Sequence, residues 1–185
     1  PMQFGANEDF TSYPADEAAD KAALSRASVD TIYAPTLSAI YPEGFMTRVS
    51  VDGLASRLCG SHRPGHFDGV TTVVTKLLLQ CNPEIALFGE KDYQQLQIIR
   101  RMVRDLDIPV AIQGVPTLRA ADGLALSSRN AYLNEDQRRI APTLFRALSD
   151  LAARVADGTA DCEAVAKATA ENLLTAGFAS VDYVS

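Results

Sequence analysis

Several residue types that mark particular classes of protein are scarce in this 185-residue sequence. It contains no tryptophan, two histidines and three cysteines, Cys59, Cys81 and Cys162, with no Cys-x-x-Cys spacing. An odd number of widely spaced cysteines gives no disulfide framework, and so few cysteines and histidines give no zinc site. The cysteine content therefore favours a reducing compartment, and we expect a cytoplasmic protein.

Positive charge and long apolar runs are also missing. Seventeen basic against twenty-three acidic residues give a formal net charge of −6, so the sequence lacks the basic surface that binds nucleic acid or anionic membranes. No apolar run approaches the ~20 residues that span a bilayer, and we see no secretory signal. Hydrophobic residues make up 47% of the chain, which is enough for a globular core either in one domain or in one domain and a piece of another.

Residues 85–106 contain the most informative change of pattern. An apolar run from Ile85 to Phe88 predicts a short buried strand, and Gly89 ends it. After this glycine the apolar residues follow a helical spacing. They are Leu96, Ile99, Val103 and Leu106. This spacing predicts a strand, a glycine turn and then an amphipathic helix that begins near Asp92.

Lys91 and Gln95 lie one helical turn apart at the start of this helix. A helix N-terminus exposes backbone N–H groups and a partial positive charge, and therefore favours an anion. A cation beside a neutral amide would suit a polyphosphate next to a polar substrate. The alternative is that residues 90–92 form an ordinary solvated charge run at a helix start.

Two further stretches contain polar side chains in irregular segments. Gln3 follows a presumed strand and would be either a specificity amide at the carboxyl end of the sheet or an exposed turn residue. Residues 60–69 are rich in glycine and proline and predict a loop that carries both histidines. His66 in that loop would either bond to the loop backbone or act as a general base.

The fourth stretch, residues 122–130, contains adjacent hydroxyls and a guanidinium: Ser127, Ser128 and Arg129. Such donors suit phosphate oxygens and the charge that develops on a departing pyrophosphate. The alternative is a serine-rich helix N-cap.

Alternating helices and strands predict an α/β fold with parallel strands and covering helices. The predicted strands are residues 29–34, 49–51, 85–88, 108–115 and 179–184, and the predicted helices are residues 15–28, 70–82, 92–106, 134–156 and 162–176. The change in pattern near residue 118 divides the chain into a domain of residues 1–117 and a smaller α+β domain of residues 118–185.

Four segments together resemble the pantothenate synthetase family, also called pantoate-beta-alanine ligases. They are PMQF at residues 1–4, RPGHFDGV at 63–70, FGEKDYQQ at 88–95 and GLALSSRN at 123–130. The resemblance implies a Rossmann-like nucleotidyltransferase domain, with helices on both faces of its parallel sheet, and a smaller domain that closes over ATP. It implies a cytoplasmic homodimer in the pathway to coenzyme A. In the reaction it implies, pantoate attacks ATP with Mg²⁺ present, and beta-alanine then displaces AMP from pantoyl adenylate.

The same resemblance assigns roles to individual residues. Gln3 and Gln95 would hold pantoate, Gln3 would also meet beta-alanine, and Lys91 and Arg129 would neutralise developing charge. The residues implied in ATP binding are Gly89, Glu90, Lys91, Asp92, Leu118, Leu126, Ser127, Ser128 and Arg129. Met2, Arg63 and His66 would flank the site.

The sequence departs from the family pattern in three places. The family's His-x-Gly-His motif, which supplies its catalytic histidine, is absent, and His62 and His66 belong to another loop. Asp20 would help to bind the metal, but Ala19 stands where relatives often carry a second acidic residue. The end of the small domain is also missing, so we expect a fragment with little or no activity on its own.

Two other functions are compatible with the same residues. One is a nucleotidyltransferase with a different acceptor, which would share the Lys91 turn and the serine–arginine loop but would have no need for the two glutamines. The other is a non-catalytic, truncated nucleotide-binding module that keeps the dimer surface.

Overall fold

The computed structural model describes residues 2, 13–14, 16–158 and 161–185. The α-helices are α1 (Glu17–Arg26), α2 (Leu37–Ile40), α3 (Cys59–His62), α4 (His66–Cys81), α5 (Tyr93–Asp105), α6 (Glu135–Ile140), α7 (Thr143–Ala156) and α8 (Cys162–Thr175). The strands are β1 (Ile85–Gly89) and β2 (Ala111–Val115), and short 3₁₀ helices cover Leu54–Ser56, Glu90–Asp92 and Ser128–Tyr132. No helix in the described part of the chain has the length and apolar character needed to cross a membrane.

The two strands pair in parallel, with α5 as the connection between them. Their register runs from Ile85 opposite Ala111 to Gly89 opposite Val115. The carboxyl ends of both strands therefore lie at one edge of the sheet, and the segments that leave them begin side by side. The predicted α/β class with a parallel sheet is confirmed.

The core lies between α4, α5 and the inner face of the sheet. Ile98 and Ile99 of α5 are fully buried at 0% exposure, and Ala86, Phe88 and Ile112 pack against the cluster from the strands. The outer face of β1 remains open, because Ile85 and Leu87 are 56% and 63% exposed. Burial on one face fixes the position of α5, and with it the turn that carries Lys91.

The predicted strand at residues 49–51 is wrong, although Val51 is buried as a strand residue would be. The backbone of Val49 bonds to two buried threonines of α4 instead of a neighbouring strand. Its N–H donates to Oγ1 of Thr72 over 3.0 Å, and its carbonyl accepts from Oγ1 of Thr71 over 2.5 Å. Side chains thus satisfy the backbone groups that a sheet would otherwise pair.

Two other predicted strands are also absent, at residues 29–34 and 179–184. In the first, Ile32 and Tyr33 are 39% and 50% exposed, so their apolar character does not come from burial against a sheet. In the second, Tyr183 lines the pocket described below instead of pairing in a sheet. A β propensity without a neighbouring strand does not form a ladder.

The predicted loop at residues 60–69 is much shorter in the structure. Helix α3 ends at His62 and α4 begins at His66, so only residues 63–65 connect them. Gly65 has a φ of 79° at the start of α4, a conformation that favours glycine. The glycines and proline that predicted a loop form one tight connection between two helices.

The predicted long helix after Asn134 is divided in two by Pro142. Asn134 and Gln137 form a capping box at the start of α6, with bonds of 2.9 and 3.0 Å, but α6 ends at Ile140 and α7 begins at Thr143. Proline has no N–H for the helical ladder, so the helix restarts after it. The predicted domain boundary at residue 118 stays a prediction.

Candidate active site

A pocket of about 640 Å³ lies beside the turn that leads from β1 into α5. Lys91 and Gln95 line it from that turn, and Arg63 and His66 line it from the connection between α3 and α4. The structure therefore brings together two of the stretches that the sequence singled out. Tyr183, near the end of the chain, lines the same pocket.

Lys91 is held loosely at this turn. Its Nζ lies 3.5 Å from Oδ1 of Asp92, and the two side chains are 43% and 63% exposed. An ion pair between such exposed groups contributes little, so the ammonium can turn toward a ligand at small cost. Asp92 precedes α5 without making a capping hydrogen bond from its side chain. Gln95, half-buried one helical turn later, lines the same pocket.

Arg63 and His66 bridge the short connection between α3 and α4. Nη1 of Arg63 lies 3.1 Å from Nε2 of His66, and the His66 ring lies 4.9 Å from that of Phe67. A guanidinium can only donate, so in this contact Nε2 is the acceptor. This contact engages the lone pair that the general-base alternative for His66 would use at Nε2.

Gln94 is a structural part of the pocket that the sequence analysis did not single out. Its Nε2 donates to the carbonyls of Leu54 and Arg57 over 2.9 and 2.6 Å, and its Oε1 accepts from the N–H of Cys59 over 3.1 Å. Both glutamines line the pocket, but adjacent residues on a helix point in different directions, and Gln94 is the one bonded to the backbone of the pocket wall. The adjacent positions of the two glutamines at the start of a helix were the only signal in the sequence that their side chains would make different contacts.

We expect Gln94→Glu to destabilise the protein more than Gln94→Ala does. Alanine removes three hydrogen bonds at a half-buried position, which should cost about 2 kcal/mol. Glutamate could still accept from the N–H of Cys59, but it would replace both donated bonds by repulsion between a carboxylate oxygen and the carbonyl oxygens of Leu54 and Arg57. Urea denaturation measures both effects. Gln80→Glu is the matched control, since Oε1 of Gln80 accepts from Tyr33 over 3.1 Å and a carboxylate can do the same. Equal unfolding midpoints for Gln94→Glu and the wild type would contradict this account.

Residues 118–126 form a tight hairpin just after β2. Arg119 bridges to Ala125, and the N–H of Leu126 donates to the carbonyl of Leu118 over 2.9 Å. Two of the residues expected to bind ATP are therefore neighbours, although seven residues separate them in the chain. At the hairpin tip Gly123 has a φ of 94°, and a Cβ there would lie 2.6 Å from the ring of Phe145.

Helices α6 and α7 hold this hairpin in place. Nη1 of Arg138 lies 2.6 Å from Oδ2 of Asp122, and the guanidinium of Arg119 lies 3.9 Å from the centre of the Phe145 ring. The hydrogen bond from Arg138 and the N–H of Leu124 hold the pKa of Asp122 below its ordinary value. Because the pKa of Asp122 is lowered, its ion pair with Arg138 is fully formed at a pH above the ordinary carboxyl pKa. The pair is lost as the pH falls through the lowered pKa.

The serine–arginine segment follows this hairpin. Oγ of Ser127 accepts from the N–H of Arg129 over 3.3 Å and caps the 3₁₀ helix Ser128–Tyr132, as the N-cap alternative predicts for this one serine. Ser128 and Arg129 are exposed and both contact Tyr13. In the described part of the chain, the lining of the Lys91 pocket includes none of residues 126–129.

The remaining predicted site residues lie in several places. Gln3 lies outside the described residues, and Met2 is half-buried in a turn. Glu90 lies over β2, since a Cβ on Gly114 would be 2.8 Å from its Oε1. Asp20 is exposed in the first turn of α1, and the described residues include no group of three or more acidic, cysteine or histidine side chains that could hold a metal ion. That Asp20 helps to bind a metal ion stays a prediction.

Tyr183 connects the C-terminal segment to the pocket wall. Its hydroxyl lies 2.8 Å from Sγ of Cys59, and its ring stacks on His62 with centres 5.5 Å apart. Burial, and next the hydrogen bond with Cys59, raise the pKa of Tyr183 to about 12, so it stays neutral at physiological pH. The sequence carried no signal for a contact across 124 residues.

Comparison with known proteins identifies close relatives of the whole chain. The sequence model of the pantoate-beta-alanine ligase family matches residues 1–185. Pantothenate synthetases of Paramagnetospirillum magneticum and Rhodospirillum rubrum are 59% and 50% identical over 100% of this chain. The chain covers 64% and 65% of these two proteins, so it spans a little under two thirds of their length.

Solved structures agree with the sequence comparison. A crystal structure of pantothenate synthetase from Thermus thermophilus matches with a TM-score of 0.89 and 50% identity, over 96% of this chain and 64% of that one. A pantoate-beta-alanine ligase from Francisella tularensis, complexed with beta-gamma ATP and beta-alanine, matches with a TM-score of 0.83 and 34% identity over the same shares. The fold is therefore that of these relatives.

Proposed function

This chain belongs to the pantoate-beta-alanine ligase family, and from that premise we propose that its protein joins pantoate to beta-alanine at the expense of ATP. The reaction passes through pantoyl adenylate, releases pyrophosphate and AMP, and supplies coenzyme A biosynthesis. The supporting observation is the pocket at the end of β1, where Lys91 and Gln95 meet Arg63 and His66. The complex of the Francisella tularensis relative with a form of ATP and with beta-alanine supports the same substrates.

The first step joins two anions. A pantoate carboxylate oxygen bonds to the α-phosphorus of ATP, the bond from that phosphorus to the bridging oxygen breaks, and pyrophosphate leaves with the electron pair. The substrates supply the nucleophile, so the protein has to position the groups and neutralise charge. Lys91 has the required features, since its ammonium is exposed in the pocket and its ion pair with Asp92 is weak.

The second step uses the mixed anhydride formed in the first. The amine of beta-alanine attacks the acyl carbon, the bond from that carbon to the phosphate oxygen breaks, and AMP leaves. The proton that the amine loses passes to the solvent. Gln95, and Gln3 with it, hold pantoate by amide hydrogen bonds, and Gln3 also meets beta-alanine. Arg63 and His66 flank the reacting groups.

The nucleotide itself lies between two segments in this proposal. Residues 89–92 bind ATP at the end of β1, and Leu118 with residues 126–129 bind it after β2. These segments leave the two strands at the same edge of the sheet, which is where open α/β folds bind ligands. Arg129 supplies the second cation. Mg²⁺ enters as the ATP complex, since this ion is commonly held through substrate phosphates with one or two carboxylates. We propose a cytoplasmic homodimer.

Pantoate-dependent exchange of pyrophosphate into ATP tests this function. The natural full-length protein, whatever segments flank these 185 residues in it, should catalyse exchange with pantoate and without beta-alanine. Exchange only with a different carboxylate would favour another acceptor, and nucleotide binding by calorimetry without any exchange would favour the non-catalytic module. Residues 1–185 alone should show little or no exchange, since they lack the His-x-Gly-His motif.

Gln95→Ala should separate this function from its closest alternative. Loss of one or two hydrogen bonds to pantoate should lower kcat/KM for pantoate by about 10- to 100-fold, while the KM for ATP changes little. Gln80→Ala, at an exposed position on α4, is the control. Exchange kinetics at varied pantoate measure the effect. An unchanged kcat/KM for pantoate would favour a different acceptor.

A further inference from the structure

Tyr13 contacts Ser128 and Arg129, the two exposed residues of the serine–arginine segment, residues 127–129. Its hydroxyl lies 2.9 Å from Oγ of Ser128, and the guanidinium of Arg129 lies 5.1 Å from the centre of its ring. These contacts join parts of the chain 115 residues apart. No motif singled out in the sequence includes Tyr13, which is 38% exposed.

We propose that Tyr13 is a positioning residue that orients Ser128 and Arg129 toward the phosphates of the nucleotide. The inference rests on the proposed function, in which these two residues bind ATP. It adds a residue of the N-terminal part of the chain to a binding segment that otherwise belongs to the hairpin after β2.

The hydroxyl of Tyr13 acts on the hydroxyl of Ser128. A serine hydroxyl has one proton to donate and two lone pairs to accept with. When Tyr13 donates to Oγ of Ser128, the serine proton is left to donate to a phosphate oxygen, and the first bond strengthens the second. Tyr13 thereby selects one of the rotations open to the Ser128 hydroxyl.

The ring of Tyr13 acts on Arg129. A guanidinium within about 6 Å of a ring centre is attracted to the face of that ring. An arginine held in this way has fewer rotamers to lose when it binds an anion, so binding costs less conformational entropy. The two contacts thus prepare one donor and one cation for the same ligand.

The backbone of this segment is held by other contacts. Oγ of Ser127 caps the 3₁₀ helix, and Nδ2 of Asn130 donates to the carbonyl of Ala125 over 3.0 Å. The hairpin before it is closed by the bond between Leu126 and Leu118. Loss of Tyr13 should therefore alter the two side chains and leave the fold of the segment in place.

Tyr13→Phe and Tyr13→Leu in the natural full-length protein separate the two effects. Phenylalanine keeps the ring and loses the hydroxyl, so the KM for ATP in exchange should rise about 3- to 10-fold, as expected for one hydrogen bond, with the KM for pantoate unchanged. Leucine loses both contacts and should raise the KM for ATP further. Tyr33→Phe is the control, because its hydroxyl also bonds to an exposed side chain, Oε1 of Gln80.

A double-variant cycle distinguishes positioning from general disturbance. Tyr13→Phe should add little to the effect of Ser128→Ala, because both remove the same hydrogen bond. Independent, additive effects, or wild-type kinetics for Tyr13→Phe, would overturn the inference. ATP affinity of the same variants by calorimetry should fall by the same factors, and unchanged affinity would also overturn it. That measurement needs no pantoate, so it remains decisive even if the exchange assay were to reject the proposed function.

Discussion

Lys91→Met in the natural full-length protein is expected to reduce pantoate-dependent exchange of pyrophosphate by about 10²- to 10³-fold. Methionine keeps most of the side-chain length and removes the charge, and loss of one group that stabilises transition-state charge has effects of this size. The turn should stay folded, because Lys91 is exposed and its pair with Asp92 contributes little to stability. The reduction should therefore appear in kcat and not in the unfolding midpoint.

Two further variants make the Lys91 experiment specific. Lys167→Met removes a charge from an exposed position on α8 and should leave exchange unchanged. Lys91→Arg keeps the charge but replaces a compact ammonium by a larger planar group, and should recover only part of the activity. Exchange by Lys91→Met within about threefold of the wild type would refute the role proposed for this residue, since such a loss is far below what one charge-stabilising group supplies.

Gly60→Ala is expected to destabilise the protein by about 3 kcal/mol, at the upper end of the usual cost of overpacking. Gly60 is buried in α3, and a Cβ there would lie 1.9 Å from the carbonyl oxygen of Ala55 and 2.7 Å from its carbon. Both atoms belong to the backbone, so α3 would have to move away from the 3₁₀ helix Leu54–Ser56. Urea denaturation with an unchanged m-value would measure the loss.

Gly89→Ala is the matched control for stability. Gly89 has an ordinary φ of −66°, and a Cβ on it would meet nothing within 4 Å. We expect its free energy of unfolding to stay within about 0.5 kcal/mol of the wild type. A Gly60→Ala protein as stable as the Gly89→Ala protein would show that the wall of the pocket can move freely.

These two glycines show how far a local pattern can be interpreted. Gly89 was predicted to end β1, and it does, but its backbone conformation is open to any residue. Gly60 was assigned to an irregular loop, yet it lies in a helix and allows the close approach of Ala55. A sequence shows where a glycine stands, whereas the atoms that approach it come from the tertiary structure.

The strand, turn and helix at residues 85–106 could be predicted because their signals are local. The helical spacing of apolar residues places Leu96, Ile99 and Val103 on the buried face of α5, as the structure has them. Leu106 is the exception, since it lies past the end of the helix and is 49% exposed. Periodicity identifies a face more reliably than it identifies an end.

Contacts between distant residues could not be predicted from the sequence. The threonines that bond to Val49, the cysteine that meets Tyr183 and the serine that meets Tyr13 are separated from their partners by 22 to 124 residues. No spacing rule connects such pairs. That Lys91 and Arg129 act on one triphosphate, and that Gln3 and Gln95 grip one substrate, stay predictions.

Because β1 and β2 pair in parallel, both strands begin at one edge of the sheet and end at the opposite edge. The segments that follow the ends of the strands contain the groups proposed to bind substrates. The segment around Asp107 precedes β2 and therefore lies at the opposite edge, where the strands begin. Helix α5 has 13 residues, so its two ends are about 20 Å apart at 1.5 Å per residue. A fluorophore or affinity tag attached near Asp107 would therefore report on the protein without crowding the pocket.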